Sequence, residues 1–391
     1  MNEILQLEKR GLNIQIVAIK KNLDYKASNQ PALMNKVIYN ASTFSLISIY
    51  AHLYMGFFYK QRYLSTIISL ISNVKNFREL LVITKNFSIS IYFLYELRKR
   101  QTDLIHSHFL SLPSTVAMIM SRLSNIPFSC AAHANDIYTV SKSDVLEKIN
   151  YSQFVVTCTR YNQLFLRSLF GNLDGKKIKH VYHGLDIENW PRKTYALKAD
   201  LKNTVRLLFV GRLVEKKGLI YLLQAVKQLK HDGYCLSCDV VGSGPEYKKS
   251  LEFIYLNQLT DCVHLHGTLS QEKVKRFYAN VDIFVLPCVV CDADGDRDGL
   301  PNVLMEALAV GVPVISTNIS AISELIANNE TGILTPTKNS DSLVNAILKL
   351  TSDPALYRKI SDNGRRLVEA KFDIAASTDN LFKIFESHCA N

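Results

Sequence analysis

The sequence predicts an α/β protein built as two doubly wound domains, each a parallel sheet covered on both faces. Three observations predict it. Short apolar runs bounded by turn residues alternate with helical patterns along most of the chain. The runs are predominantly apolar, which marks strands buried on both faces. At 391 residues the chain exceeds what one ordinary core organises. Sheets of this kind take ligands at the carboxyl ends of their strands, so the loops that follow the apolar runs are where chemistry is sought.

In the first half, Met1–Arg10 reads as a helix stopped by Gly11, and Ile14–Ile19, Leu104–His106, Phe128–Ala132, Phe154–Cys158 and Ile178–Tyr182 read as strands. Val205–Val210, Cys238–Val241, Val263–Leu265, Ile283–Leu286 and Val312–Ser316 read the same way in the second half, with helices such as Leu219–Lys230 and Gln271–Tyr278 between them. Pro191 and several charges place the linker in Leu185–Asn203. The charge-free run Val37–Tyr59 is long enough to cross a bilayer, but Asn40, Ser42, Thr43, Ser45, Ser48 and His52 make it a poor span. It reads as buried or surface-lying helices of a soluble domain. The other reading is a helix lying in a membrane interface, which Tyr50, Tyr54, Phe57, Phe58 and Tyr59, with Lys60 and Arg62 beyond them, would suit.

Composition excludes several classes. With 48% hydrophobic and 21% charged residues the chain is neither disordered nor low-complexity. Residues 1–10 carry no apolar signal-peptide core. Eight cysteines in a chain this long suggest a reducing cytoplasm rather than a disulfide framework. The C-x-x-C pairs Cys235/Cys238 and Cys288/Cys291 lie in apolar, strand-like text without a zinc-knuckle turn. Residues 1–195 hold 24 Lys and Arg against 12 Asp and Glu, whereas residues 196–391 hold 22 against 23. The basic half suits an anionic membrane surface or phosphorylated lipids. No nucleic-acid-binding module is recognisable, so no nucleic-acid partner is expected.

The most informative stretch is Asp298-Gly-Leu-Pro-Asn-Val-Leu-Met-Glu306, followed by Ala-Leu-Ala-Val-Gly311-Val-Pro313. Pro301 suits the start of a helix over Asn302–Val310, Gly311 ends it, and Pro313 prevents its return. The helix N-terminus aims unpaired N–H groups and a partial positive charge at the loop, an arrangement suited to phosphate. The carboxylates of Asp298 and Glu306 are left to handle hydroxyls. Arg212 and Lys217 follow the strand Val205–Val210 and offer a planar fork and a mobile point charge for phosphate oxygens. Gly242-Ser243-Gly244, after another strand, would let backbone approach a ligand closely. His133 follows the strand Phe128–Ala132, and His106 and His108 bracket Ser107 at a strand end, so that one of the pair could face a ligand or a metal.

These segments resemble retaining nucleotide-sugar glycosyltransferases of the GT-B fold, in particular family 4 and its exopolysaccharide, colanic-acid-type branch. Asp298 through Glu306 is similar to that family's E-x7-E motif with Asp in the first place. Gly211-Arg212 with Lys217-Gly218, Gly242-Ser243-Gly244-Pro245, His266-Gly267, Tyr278–Pro287 and Glu324 before Thr331-Gly332 resemble its other motifs in order. The resemblance runs from about Asn2 to about Phe372, strongest over 205–335.

It implies two Rossmann-like domains facing a central cleft: residues 1–190 on the acceptor side, with 374–391 crossing back onto them, and 200–373 binding the donor. His133, Asp298 and Glu306 would be catalytic. Arg212, Lys217, Gly244 and the backbone of Asn302, Val303 and Leu304 would hold the donor diphosphate. His266, Gly267 and Glu306 would hold the nucleotide. A hexose would pass from a UDP- or GDP-sugar to a glycan or lipid-linked acceptor of the cell envelope, with retention through same-face attack. The protein would sit in the cytoplasm, peripheral to the membrane. No cofactor and no metal requirement is expected.

Family members carry a strand and a glycine-containing loop before the helix read at Met1–Arg10, and this first strand is missing from the sequence as read. Either the start lies upstream or part of the acceptor site is lacking. Three other readings stay open. Asp294 onward follows the start of an EF-hand loop, but Met305 occupies the twelfth position, and the ordinary explanation is a solvated acidic loop. A nucleotide-sugar epimerase on the same fold and a non-catalytic nucleotide-sugar-binding relic are the alternatives in function.

Overall fold

The structure is a computed structural model that describes residues 2–21, 36–43, 45–72, 74–169, 175–193 and 204–389. The chain forms two compact units. One takes in Met1–Thr157, Leu166–Lys179 and Asn380–Asn391; the other Cys158–Phe165 and His180–Asp379.

The first unit contains β1 (Ile16–Ala18), β2 (Val37–Tyr39), β3 (Ile105–His108), β4 (Phe128–Ala132), β5 (Val155–Thr157) and β6 (Ile178–His180). Among the described residues these form two sheets, a parallel pair β1–β2 and a four-stranded sheet in the order β3-β4-β5-β6. β2 corrects the sequence reading: the apolar run at Val37 begins as a strand, registering Ile16 with Val37 and Ala18 with Tyr39. The helix starts only at Leu46, where the Ser45 hydroxyl accepts the Ser48 N–H. β6 stops short of the expected Tyr182, whose hydroxyl instead donates to Glu324 (2.7 Å).

Three helices, Leu46–Phe58, Lys60–Ile71 and Phe77–Leu97, pack on one another in this unit. Every residue from Asn86 to Tyr95 is buried, so the one helix among the described residues long and apolar enough to cross a membrane spends its second half inside the core. Phe385, from the C-terminal end of the chain, packs edge-on to His106 and against Phe154.

The second unit is built on β7 (Val205–Val210), β8 (Leu236–Val241), β9 (Val263–Leu265), β10 (Ile283–Leu286), β11 (Val314–Thr317) and β12 (Ile333–Thr335). Their order is β12-β11-β10-β7-β8-β9, all parallel. The apolar runs are buried as expected of a sheet covered on both faces: Ile283 through Leu286 are all inaccessible. β12 closes one edge and had no counterpart in the sequence reading. Trp190, inside the expected linker, is buried in this core, and the Arg365 guanidinium donates to its carbonyl. The rest of that linker, 194–203, lies outside the described residues.

Candidate active site

The topology of the second unit selects the site. From β7 the chain winds outward through β8 and β9, then returns to the other side of β7 as β10 and continues to β11 and β12. The winding reverses between β7 and β10, so the loops at their carboxyl ends diverge and leave a crevice. Arg212 and Lys217 lie in the first of these loops, Asp298 in the second.

The two loops are joined by charge. The Lys217 ammonium lies 2.8 Å from the Asp298 carboxylate. Its neighbour Lys216, a buried lysine, reaches Asp296 at 2.9 Å and Asp298 at 3.8 Å. The Lys216 carbonyl accepts the Val289 N–H, which ties the second loop to the first through backbone as well. Beneath them the Cys288 thiol points at Asp298 (3.5 Å), and burial, then that carboxylate, push its pKa well up. Asp292 pairs with Lys338. Asp292 and Asp294 are exposed, as a solvated acidic loop would have them, whereas Asp296 and Asp298 are drawn in by the lysines. A cation at Asp296 and Asp298 would have to displace two ammonium groups already there. Arg212 is exposed at the rim.

The helix Asn302–Val310 follows, with Pro301 at its N-cap and Gly311 in the left-handed region at its end. The Leu304 N–H donates to the Pro301 carbonyl (3.0 Å), so this amide is already committed. Asn302 and Val303 are the amides that the first helical turn leaves without an intrahelical acceptor. Glu306, one turn in, meets the hydroxyl of buried Tyr278 at 3.2 Å, and the same hydroxyl lies 3.1 Å from the Val303 carbonyl. One phenolic proton serves one of these acceptors at a time. Burial raises the Glu306 pKa to about 7, against the pull of the Tyr278 hydroxyl and of Lys275.

His266 lies at the end of β9, its Nε2 2.6 Å from the Asp239 carboxylate and its ring against Phe277. The Gly267 carbonyl accepts the Gly242 N–H. A Cβ on Gly244 would fall 2.4 Å from the Leu213 carbonyl oxygen, and one on Gly242 1.8 Å from that of Gly211. Both also sit at positive φ, 157° and 139°. Their missing side chains admit the chain's own β7 loop.

In the first unit, His133 caps the short helix Ala134–Tyr138: its ring accepts an N–H from the third helical residue, while Asp136 accepts the His133 N–H (3.4 Å). Asp136 is buried and also accepts the Leu110 N–H. The His108 ring lies 5.0 Å from that of His133. His106, two residues back on the same strand, is bonded to Ser129 (2.8 Å) and packed on Phe385, and burial lowers its pKa to about 4. It is a neutral packing residue, which separates the two histidines that sequence left equivalent.

The structure thus brings Lys217, Asp298 and the Glu306 helix to one end of one sheet, with Gly244 and His266 on the neighbouring loops. Sequence reasoning gave no role to three residues around them. Lys216 was hidden by its adjacent twin. Tyr278 was noticed only as part of a motif. Asp239, the sole carboxylate in an apolar strand, was the signal for the partner of His266.

Comparison with known proteins follows the same division. Residues 196–367 match the family model described as glycosyl transferases group 1. The amylovoran biosynthesis glycosyltransferase AmsK of Erwinia amylovora is 36% identical over 211 residues, 54% of this chain and 51% of that protein. The putative colanic acid biosynthesis glycosyltransferase WcaL of Escherichia coli is 38% identical over 200 residues, 51% and 48% of the two chains. The chain therefore spans about half the length of these curated relatives. A crystal structure of a glycosyltransferase from Rickettsia africae superposes with a TM-score of 0.71 at 17% identity, covering 100% of this chain and 95% of that one, a likeness of fold.

Proposed function

Because the chain carries a glycosyl transferase group 1 domain over residues 196–367, we propose that it is a retaining glycosyltransferase. In this reading it moves a hexose from a UDP- or GDP-sugar to a glycan or lipid-linked acceptor in envelope polysaccharide synthesis. The carrying observation is the meeting of Lys217, Asp298 and the Glu306 helix at the topological switch point of one sheet.

Each residue has a role that its surroundings suit. Lys217 and Arg212, with the amides of Asn302 and Val303, neutralise the diphosphate as it departs. Glu306 accepts the ribose hydroxyls. Asp298 turns from Lys217 toward the sugar once phosphate engages the ammonium. His266, with Gly267, borders the nucleotide base, and His133 approaches the transferred sugar from the acceptor side. The bond from the anomeric carbon to the phosphate oxygen breaks while the acceptor oxygen bonds to that carbon on the same face. The acceptor proton leaves on the phosphate oxygen, so no side-chain nucleophile is needed. The protein works in the cytoplasm at the inner face of the membrane, its basic first half in peripheral contact with anionic lipid.

Thermal-shift measurements with UDP-, GDP- and ADP-sugars test the donor half of this reading. A ligand that binds only the native state raises the melting temperature. One nucleotide class should do so in the wild type and fail in Lys217→Ala. A folded chain that responds to none of them would sink the proposal in favour of a relic.

A further inference from the structure

The helix Leu46–Phe58 breaks the usual pattern of a surface helix. Ser48, Ala51 and Met55 face the core. The opposite face should be polar, yet Leu46, Tyr50, Leu53 and Phe57 recur along it at helical spacing. Leu46 is 86% exposed, Leu53 67% and Phe57 79%. The next helix continues the surface with exposed Leu64, Ile68 and Ile71, and the first turns of Phe77–Leu97 add Phe77, Leu81 and Val82. Fourteen of the 23 exposed large hydrophobic side chains among the described residues fall between Leu46 and Val82, so they form one patch rather than a scatter.

The patch sits on a fixed platform. His52 bridges the three helices, with Nδ1 at 2.9 Å from the Tyr63 hydroxyl and Nε2 at 3.1 Å from the Ser88 hydroxyl. Its charge is uniform. Lys60, Arg62, Lys75, Arg78 and Lys85 are exposed around the apolar residues, against the single acid Glu79. Lys60 leads the stripe of Leu64, Ile68 and Ile71, and Lys85 follows that of Phe77 and Leu81. Thirteen residues of helix span roughly 20 Å, short of the ~30 Å hydrocarbon core. Such a helix lies in an interface rather than crossing it.

We infer that the outward faces of Leu46–Phe58, Lys60–Ile71 and the start of Phe77–Leu97 form a docking surface for an anionic lipid bilayer. Its aromatic and aliphatic side chains enter the headgroup boundary while the lysines and arginines meet lipid phosphates. A second copy of the chain fits poorly, because two such faces would oppose the same cations. The inference deepens the membrane contact proposed above by assigning its residues.

Flotation of the full chain with phosphatidylcholine vesicles, with and without phosphatidylglycerol, tests it. The wild type should bind the anionic vesicles, and salt should weaken that binding. Leu53→Ser with Phe57→Ser should lower the bound fraction on the order of 10-fold or more. Lys75→Glu with Arg78→Glu should remove the preference for phosphatidylglycerol, also roughly 10-fold. Both variants change exposed side chains and should keep the wild-type melting temperature and nucleotide-sugar response. Wild type that stays in the aqueous fraction with both vesicles overturns the inference. So does equal binding by the Leu53/Phe57 variant, or a dimer in sedimentation that those substitutions dissolve without any vesicle binding. The readout needs neither donor nor transfer, so it can fail while the transferase reading stands, and the reverse.

Discussion

Asp298 and Glu306 lie eight residues apart and belong to one motif, but they occupy opposite environments. The loop that carries Asp298 is saturated with positive charge: Lys217 at 2.8 Å and Lys216 behind it. The helix that carries Glu306 offers no ammonium within salt-bridge reach among the described residues, only a buried phenol and desolvation. One carboxylate is paired directly with a cation, Lys217. The other is pushed toward neutrality and gains a strong reason to accept hydroxyl protons. Paired acids in one motif therefore need not share one kind of chemistry.

The largest effect is expected from Lys217→Ala, which removes the diphosphate's ammonium and strips Asp298 of its nearest partner. Transfer should fall on the order of 100-fold or more, measured as kcat/KM, and wild-type turnover would dissolve the assignment. Glu306→Gln should weaken nucleotide-sugar affinity by roughly 10-fold or more at pH 8, read by calorimetry.

The same substitution has an opposite effect on stability. The folded pKa of Glu306, about 7, lies above the ordinary value of 4.5. Between these values the folded state holds the extra proton, so stability falls as pH rises through that window. The penalty is absent below about pH 4.5 and complete above about pH 7. Glu306→Gln should therefore stabilise the protein at pH 8 by about 1–3 kcal/mol, with no gain near pH 4.5. A Tm difference that does not change with pH would show that Glu306 is not desolvated as described. Tyr278→Phe should move the pH at which nucleotide affinity rises upward, since the lost hydroxyl favours the carboxylate. An unchanged profile would assign that hydroxyl to Val303 alone. The smallest effect is expected from chelation: EDTA should leave transfer within about two-fold, because lysines already occupy the Asp296–Asp298 carboxylates.

The contrast also marks how far the sequence could be read. Five of the six parallel strands of the second unit are legible because each is a largely apolar run, as a strand buried on both faces must be. Only β12 escapes, three residues at an edge. The first unit is harder. Val37–Tyr39 belongs to the same charge-free run as Leu46–Phe58, and no local signal separates strand from helix until Ser45 caps the second. Motif residues were found where their type alone suggests chemistry, as with Lys217 and Glu306. Their partners were not: whether Lys216 or Lys217 faces Asp296 depends on a single turn of backbone. Gly244 also makes room for the β7 loop, and a glycine needed by a neighbouring loop reads the same as one needed by a ligand.

That last feature has a consequence for how the site can change. Gly211 donates to Val241, Leu213 to Ser243, Glu246 to Leu213 and Gly242 to Gly267, so the loops after β7, β8 and β9 are stitched main chain to main chain. With Gly242 and Gly244 filling the gaps, three loops behave as one rigid tile. The ordering entropy of this backbone is spent at folding, before any ligand arrives. Divergence in what the loops recognise is then confined to side chains hung on this tile, and a lineage can change those without rebuilding the floor beneath them.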